Sequence, residues 1–232
     1  MSLANRLTST NLTYRRPDVY DHLADGGDDL INVVGELTNS MRPRSVLDLG
    51  CGTGRHLAVL RTAFGCEGVG IDVQPGLIEY GRAVHRQLDL RQGDIRSIRL
   101  GRRFDVVLCL GNSLAYNLSD ADLRATIETF GCHTQPGGVL LIGTMLRPPL
   151  GSSSGTVDNA LITADVESET SWDADCGIAT TRRVWRHRDG RRDQDFMQRR
   201  VTPFDELAPL LKDCGFVDVA VFRDNYVAGR KA

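Results

Sequence analysis

The chain has 232 residues, with 28 Lys and Arg against 30 Asp and Glu, for a net charge of −2. That length suffices for one α/β domain with an elaboration, and the near-neutral balance excludes a global electrostatic pull toward nucleic acid or an anionic membrane. No apolar run approaches a membrane span, and the polar N-terminus lacks a signal peptide's apolar core, so a cytoplasmic protein is expected.

Residues 1–17 are polar and end in Arg15-Arg16-Pro17, which predicts a flexible or lid-like arm. Asp18 opens a short helix to residue 24, and Gly26-Gly27-Asp28 breaks it. Asp28 or Asp29 caps a second helix over 30–40, with Leu30, Val33, Val34 and Leu37 on one face. Strand and helix then alternate: strand 45–49, helix 54–63, strand 66–71, helix 75–86, strands 87–92 and 103–110, helix 119–133, strand 137–145. Ser119 is the start signal of the last of these helices. Such alternation predicts a parallel sheet wound on both faces.

Residues 147–155 read as a loop. Three strand-like segments follow, over 160–169, 177–186 and 194–202, the last two joined at Asp189-Gly190, a hairpin signal. They are expected to form an antiparallel lid (150–200) covering the ligand edge of the sheet. A helix from Thr202-Pro203 to Lys212 and two strands, 216–222 and 226–230, complete the chain.

The segment most telling of function is Val-Leu-Asp-Leu-Gly-Cys-Gly-Thr-Gly at 46–54, a buried strand running into Gly50, Gly52 and Gly54. Glycines there let a ligand approach the backbone closely, and the helix that follows leaves free N–H groups at the turn. Asp48 is placed to hold the loop or a ligand amino group. A dinucleotide loop would read G-x-G-x-x-G, but its sixth position here is Arg55. Asp72, ending the strand 68–72, lies about 20 residues farther on, where a carboxylate reaches the tip of the neighbouring parallel strand. Three more marks follow: Gly93-Asp94-Ile95, the apolar strand 104–110 ending in Gly111-Asn112-Ser113, and Gln135-Pro136-Gly137-Gly138 before a further strand.

In this order the five marks resemble the class I S-adenosylmethionine (SAM)-dependent methyltransferases. The resemblance implies a Rossmann-like, doubly wound seven-stranded α/β sheet, mostly parallel with an antiparallel final strand and an antiparallel insertion after the fifth strand. It implies SAM as cofactor, S-adenosylhomocysteine as product, and a donor site of Asp48, Gly50, Cys51, Gly52, Gly54, Asp72, Val73, Asp94, Ile95, Leu110 and Tyr116. Asp72 would take the ribose hydroxyls, and Asp94 with Ile95 the adenine. Residues 1–40 would cover the cofactor and 41–232 form the methyltransferase domain. The Leu110–Tyr116 stretch is similar to that of glycine and amino-sugar N-methyltransferases, which puts Asn112 at the acceptor. Tyr20 and His22 sit in an element similar to the Tyr-Asp helix of those relatives, and His22 is the best-placed base. Tyr20, His22 and Asn112 are thus the catalytic candidates. The basic or aromatic residue that grips the cofactor carboxylate in those relatives is missing after the glycine break, and Arg15, Arg16 or Arg55 is its expected substitute.

His133 lies at the wrong end of the sheet for catalysis, and His56 follows the glycine turn. The run from Arg182 to Arg188 alternates with acids and reads as a solvated face or a grip on an acceptor anion. The six cysteines lack metal-ligand spacing, so no metal is expected, and they read as small buried hydrophobes. The expected acceptor is a small molecule, an amino sugar or amino acid methylated on nitrogen. O-methylation of a secondary metabolite and SAM binding without transfer are the alternatives. No nucleic-acid or membrane partner is expected, and the insertion's strand edges offer a homodimer surface.

Overall fold

The computed structural model describes residues 11–23, 28–149, 151–223 and 226–232. Of the arm expected over 1–17, residues 1–10 lie outside them, as does the Gly26-Gly27 break, while Leu12–Arg15 form a helix with Leu12 buried. Three helices come first: α1 (Leu12–Arg15), α2 (Pro17–Leu23) and α3 (Asp28–Leu37). Then follow β1 (Ser45–Leu49), α4 (Arg55–Phe64), β2 (Glu67–Asp72), α5 (Pro75–Val84), β3 (Asp89–Gln92), β4 (Phe104–Cys109), a 3-10 turn (Ser113–Tyr116), α6 (Asp120–His133) and β5 (Thr134–Gly143). The remainder is β6 (Gly151–Asp158), β7 (Thr163–Asp173), β8 (Ile178–His187), β9 (Arg192–Arg200), α7 (Phe204–Asp213), β10 (Phe216–Phe222) and β11 (Tyr226–Lys231).

Seven strands form one sheet in the order β10-β11-β5-β4-β1-β2-β3. β1 pairs in parallel with both β2 and β4, which makes it an interior strand, while β11 runs antiparallel to β5 and β10. Alternation along β1 explains the two-sided core. Val46 packs into a cluster with Val33, Val34, Leu57 and Leu60, from α3 and α4. Its neighbour Leu47 faces the other way, into a cluster with Ile127, Phe130, Leu207 and Leu211, from α6 and α7. The Ser119 side chain caps α6 by accepting from the Asp122 N–H at 3.1 Å, and Pro75 opens α5.

Two expectations over the second half are corrected. The stretch 147–155 is no plain loop: β6 begins at Gly151 and pairs through Asp158 with β7, so the insertion has four strands, ordered β6-β7-β8-β9. Its Gly-Ser-Ser-Ser-Gly sequence has little intrinsic strand preference, and the eight-residue ladder with β7 supplies the pairing energy instead. The Gln135-Pro136-Gly137-Gly138 turn is absorbed into β5 as an irregularity: Thr134 opposes Phe104, and the register resumes at Val139 opposite Val106.

A third apolar cluster joins the N-terminal helices to the insertion. Leu12 of α1 and Val19 of α2 bury themselves among Ile162, Ala164 and Trp185 of the insertion. The N-terminal helices therefore rest on the insertion sheet on one side and on the glycine turn on the other. Cys51, Cys66 and Cys109 are buried, but Cys132 and Cys176 are exposed and Cys214 is half-buried, which corrects the uniform reading of the cysteines. Among the described residues no helix is long and apolar enough to cross a membrane, and no group of side chains could hold a metal.

Candidate active site

Where β1 ends, the backbone turns through Gly50 at φ 87° and Gly52 at φ 57°, the left-handed region that glycine enters without strain. The turn is tied to its neighbour strand by the Gly50 and Cys51 N–H groups, which donate to the Ile71 carbonyl at 2.7 and 3.0 Å. A side chain at Gly50 would collide with Ser113, and a Cβ at Gly52 would stand 2.6 Å from the Tyr20 hydroxyl. The loop is thus a cradle roofed by α2. Asp21 of the same helix fastens it, accepting from Thr53 Oγ1 at 2.5 Å, and its carbonyl accepts from Arg55.

Beside this cradle lies a cavity of about 160 Å³. Its wall carries Gly50, Asp72, Val73, Asp94, Ile95, Tyr20 and Tyr116, all anticipated from sequence. It also carries Tyr14, Gln74, Leu77, Arg96, Gly111, Ser113 and Asn117, which were not. Asp72 ends β2 with one carboxylate oxygen accepting from the Gly52 N–H and the other from the Gln74 N–H, each at 2.8 Å. Both oxygens keep a lone pair for a ligand hydroxyl. Burial pushes this carboxyl up, against the two backbone donors that pull it down.

Asp94 is held on both oxygens by the Arg96 guanidinium, and Arg96 reaches Asp122 of α6 at 3.0 Å. This pairing draws the Asp94 carboxyl below its ordinary range and raises the guanidinium. Tyr14 and Tyr116 share a hydroxyl–hydroxyl bond at 3.0 Å, and the Tyr14 and Tyr20 rings lie 6.1 Å apart. Burial raises both the Tyr14 and the Tyr20 phenols, Tyr14 further by Tyr116 and Tyr20 by Asp72. Tyr14 and Tyr20 are therefore uncharged at neutral pH.

Asp48 stands behind the cradle, not on the cavity wall. It is 1 % exposed, and neither carboxylate oxygen has a hydrogen-bond partner. Burial, with Asp72 second, pushes its carboxyl up to about 7. The His56 Nδ1 lies 4.0 Å from the Asp48 Oδ2. A buried carboxylate so placed costs folding free energy unless a positive ligand compensates it. This orphaned acid and the open cradle beside it fit a cationic nucleoside donor.

Other anticipated residues stand elsewhere. Cys51 and Leu110 are buried in the apolar cluster under α3 and α4. Gly54 starts α4, with Leu88 and Leu90 filling the space beside it. Asn112 takes φ 64° and donates its N–H to the Gly143 carbonyl, so its place is a backbone corner rather than the cavity wall. His22 is exposed on α2 and off the wall, because its neighbours Val19 and Tyr20 take the inward positions of that helix. The three candidate carboxylate grips are engaged: Arg15 with Asp193, Arg16 with Asp18, Arg55 with the Asp21 carbonyl. In the basic run, Arg186 pairs with Glu167 and Arg188 with Asp158, as expected of a solvated face. His133 packs in the core, where Nδ1 bonds the Thr129 carbonyl and Nε2 accepts from the Leu100 N–H.

The insertion was expected to cover the ligand directly. None of its described residues lines the cavity; it supports α1, and α1 supplies Tyr14. Tyr14 was legible only as part of a polar arm, since nothing in its neighbourhood in sequence signals burial.

Residues 46–138 match the family model described as a methyltransferase domain. The chain is 34% identical over 131 residues to dTDP-3-amino-3,4,6-trideoxy-alpha-D-glucopyranose N,N-dimethyltransferase of Streptomyces venezuelae, covering 54% of this chain and 55% of that one. It is 32% identical over 141 residues to dTDP-4-amino-2,3,4,6-tetradeoxy-D-glucose N,N-dimethyltransferase of Saccharopolyspora spinosa, covering 58% and 56%. The chain spans about half the length of the curated relatives it matches. Among solved structures, a SAM-bound amino pentose methyltransferase from Micromonospora echinaspora superposes over 96% of this chain and 98% of its own, with a TM-score of 0.79 at 20% identity. With the glycine cradle, Asp72 and the sheet order in place, residues 46–138 are similar to a methyltransferase domain, and the chain shares its fold with solved SAM-dependent methyltransferases.

Proposed function

We propose that this protein transfers a methyl group from SAM to the amine of a small molecule, with an amino sugar as the acceptor class. The observation that carries the reading is the fixed Asp72 carboxylate on the wall of a cavity that also carries three phenols, Tyr14, Tyr20 and Tyr116. The donor supplies a methyl already activated on a sulfonium, so the protein's task is to align and to exclude water, worth about 7–11 kcal/mol for well-oriented reactants. Asp72 would hold the ribose, Ile95 and Val73 the adenine face, and Gly50 the backbone approach, while Asp48 offsets the donor's positive charge.

A neutral amine suits this wall better than a hydroxyl. Asp72 and Asp94, the carboxylates on the wall among the described residues, are already hydrogen-bonded. Tyr14 and Tyr116 spend one O–H on each other and keep lone pairs that accept an amine's hydrogens. An alcohol would need a strong base to lose its proton during attack; an amine needs only to arrive unprotonated. Tyr20, Tyr14 and Tyr116 therefore take the acceptor side in this reading, and His22 and Asn112 take no direct part.

The relatives named as sugar N,N-dimethyltransferases support the amino-sugar class. Incubation with methyl-labelled SAM and a panel of nucleotide-linked amino sugars, amino acids and phenols tests it. Label on a sugar nitrogen is the expected result; label confined to phenols, or none, overturns the reading. A second copy would pair along the exposed outer edge of β6, giving a dimer measurable by light scattering.

A further inference from the structure

One strand of the insertion grips the helix that carries Tyr14 into the cavity. Alternate residues of β9 share a face, and three of them grip α1. Asp193 accepts from Arg15 at 2.9 Å, Asp195 Oδ1 accepts from the Leu12 N–H at 2.8 Å, and Met197 Sδ accepts from Asn11 Nδ2 at 3.3 Å. Asp195 is the buried member of the three, 3 % exposed. Its other oxygen, Oδ2, accepts from the Trp185 indole N–H at 2.8 Å, with the Arg183 guanidinium 3.8 Å away. Leu12 and Trp185 meet again in the small apolar cluster beneath α1 and α2.

Two residues beyond Leu12, on the same single turn of helix, Tyr14 enters the cavity and bonds Tyr116. Tyr20 of α2 lies over Gly52. A donor seated against Gly50 and Asp72 is thus shut in by α1 and α2, and these helices are held down by Asp195.

We infer that Asp195 is a positioning residue: acting through Leu12, it sets Tyr14 in the cavity and latches the N-terminal helices over the donor, so donor exchange requires breaking the Asp195–Leu12 bond. The inference rests on the cavity being the SAM site. Its geometry is specific to a carboxylate, since one oxygen serves the helix and the other the indole. An amide retains only one acceptor oxygen, and its NH₂ group would face an N–H donor. The same bond makes Trp185 a built-in reporter. The only other tryptophan, Trp172, is 39 % exposed at the far end of β7 and can be replaced by Phe.

The test compares Trp172→Phe with Trp172→Phe/Asp195→Asn and Trp172→Phe/Asp195→Leu in the full chain. SAM release is followed by stopped flow on Trp185 emission, and amide hydrogen exchange is measured without donor. The latch predicts release at least tenfold faster in both variants, with kcat reduced and amide protection at Leu12 and Tyr14 lost while β1 stays protected. Lower thermal stability with unchanged release and unchanged Leu12 protection would make Asp195 structural only and overturn the inference. If Trp172→Phe itself binds no SAM, the functional reading fails; exchange at Leu12 then judges the latch alone, retained protection in Asp195→Leu sinking it.

Discussion

Tyr20 covers Gly52 so closely that a Cβ on the glycine would stand 2.6 Å from the phenol oxygen and 2.7 Å from the ring. The contact couples the N-terminal helices to the turn proposed to receive the donor. Gly52→Ala combines a left-handed backbone with this collision and should lose about 1–3 kcal/mol of stability from the backbone alone. Gly65, at φ 72° with nothing within 4 Å, supplies the comparison in which strain acts without collision. In urea unfolding, Gly52→Ala should fall below Gly65→Ala, and adding Tyr20→Ala should recover the difference. Equal losses at the two glycines would mean that Tyr20 yields freely and does not press on the turn.

Asp48 makes stability depend on pH in a direction opposite to most carboxylates. Its carboxyl titrates at about 7 in the fold because burial, and secondarily Asp72, penalise its charge, against about 3.9 when unfolded. Between those values the folded state binds the extra proton, so stability is greatest below pH 4 for this group and is lost as pH rises toward 7. The slope approaches about 1.4 kcal/mol per pH unit. Asp48→Asn keeps the shape without the charge, so it should flatten this slope and be more stable than the parent at pH 8. It should also bind SAM more weakly, because nothing then offsets the donor's charge. Thermal midpoints of both proteins from pH 5 to 8, with and without SAM, check the sign; parallel pH curves would remove Asp48 from the account.

The doubly wound sheet and the glycine turn at its edge were legible because local signals and tertiary structure agree there. The strand from Ser45 and the glycines after it, Ser119 before α6 and Pro75 before α5 each state their structure within a few residues. What escaped depends on partners far along the chain. The Leu12 N–H donates to an acid 183 positions away, and β6 is a strand because β7 lies beside it. Asn112 carried a motif-like signal for the acceptor, yet its left-handed backbone makes it a corner piece. Proximity in a similar stretch of sequence does not say which of three neighbouring side chains turns inward. Here Ser113 and Tyr116 do, and Asn112 does not.

Arg96 locks the carboxylate expected to meet adenine. Its guanidinium occupies both oxygens of Asp94 and ties the loop to Asp122 on α6. Bidentate pairs of this kind fix orientation as well as charge. Replacing Arg96 with Met should leave the fold intact while Asp94 swings free, raising the SAM dissociation constant about tenfold, or about 1.4 kcal/mol. The loss should appear in donor affinity by calorimetry and in KM for SAM, with kcat nearly unchanged. A fall confined to kcat would place Arg96 on the acceptor instead.

The tyrosine pair predicts which proton controls the rate. Tyr14 stays protonated well above the ordinary phenol range, first because it is buried and then because Tyr116 lies against it. In the proposed reaction it would therefore accept an amine's hydrogens through a neutral oxygen and not act as a phenolate base in the working pH range. The profile of kcat/KM against pH should rise with the acceptor amine's own ionisation and shift when an acceptor of different basicity is used. Tyr14→Phe should lower kcat by roughly 10- to 100-fold, in the range of one lost orienting hydrogen bond, without moving that ionisation. If the alkaline limb vanishes in Tyr14→Phe while the acceptor is unchanged, the phenol itself takes the proton and the neutral-amine reading falls.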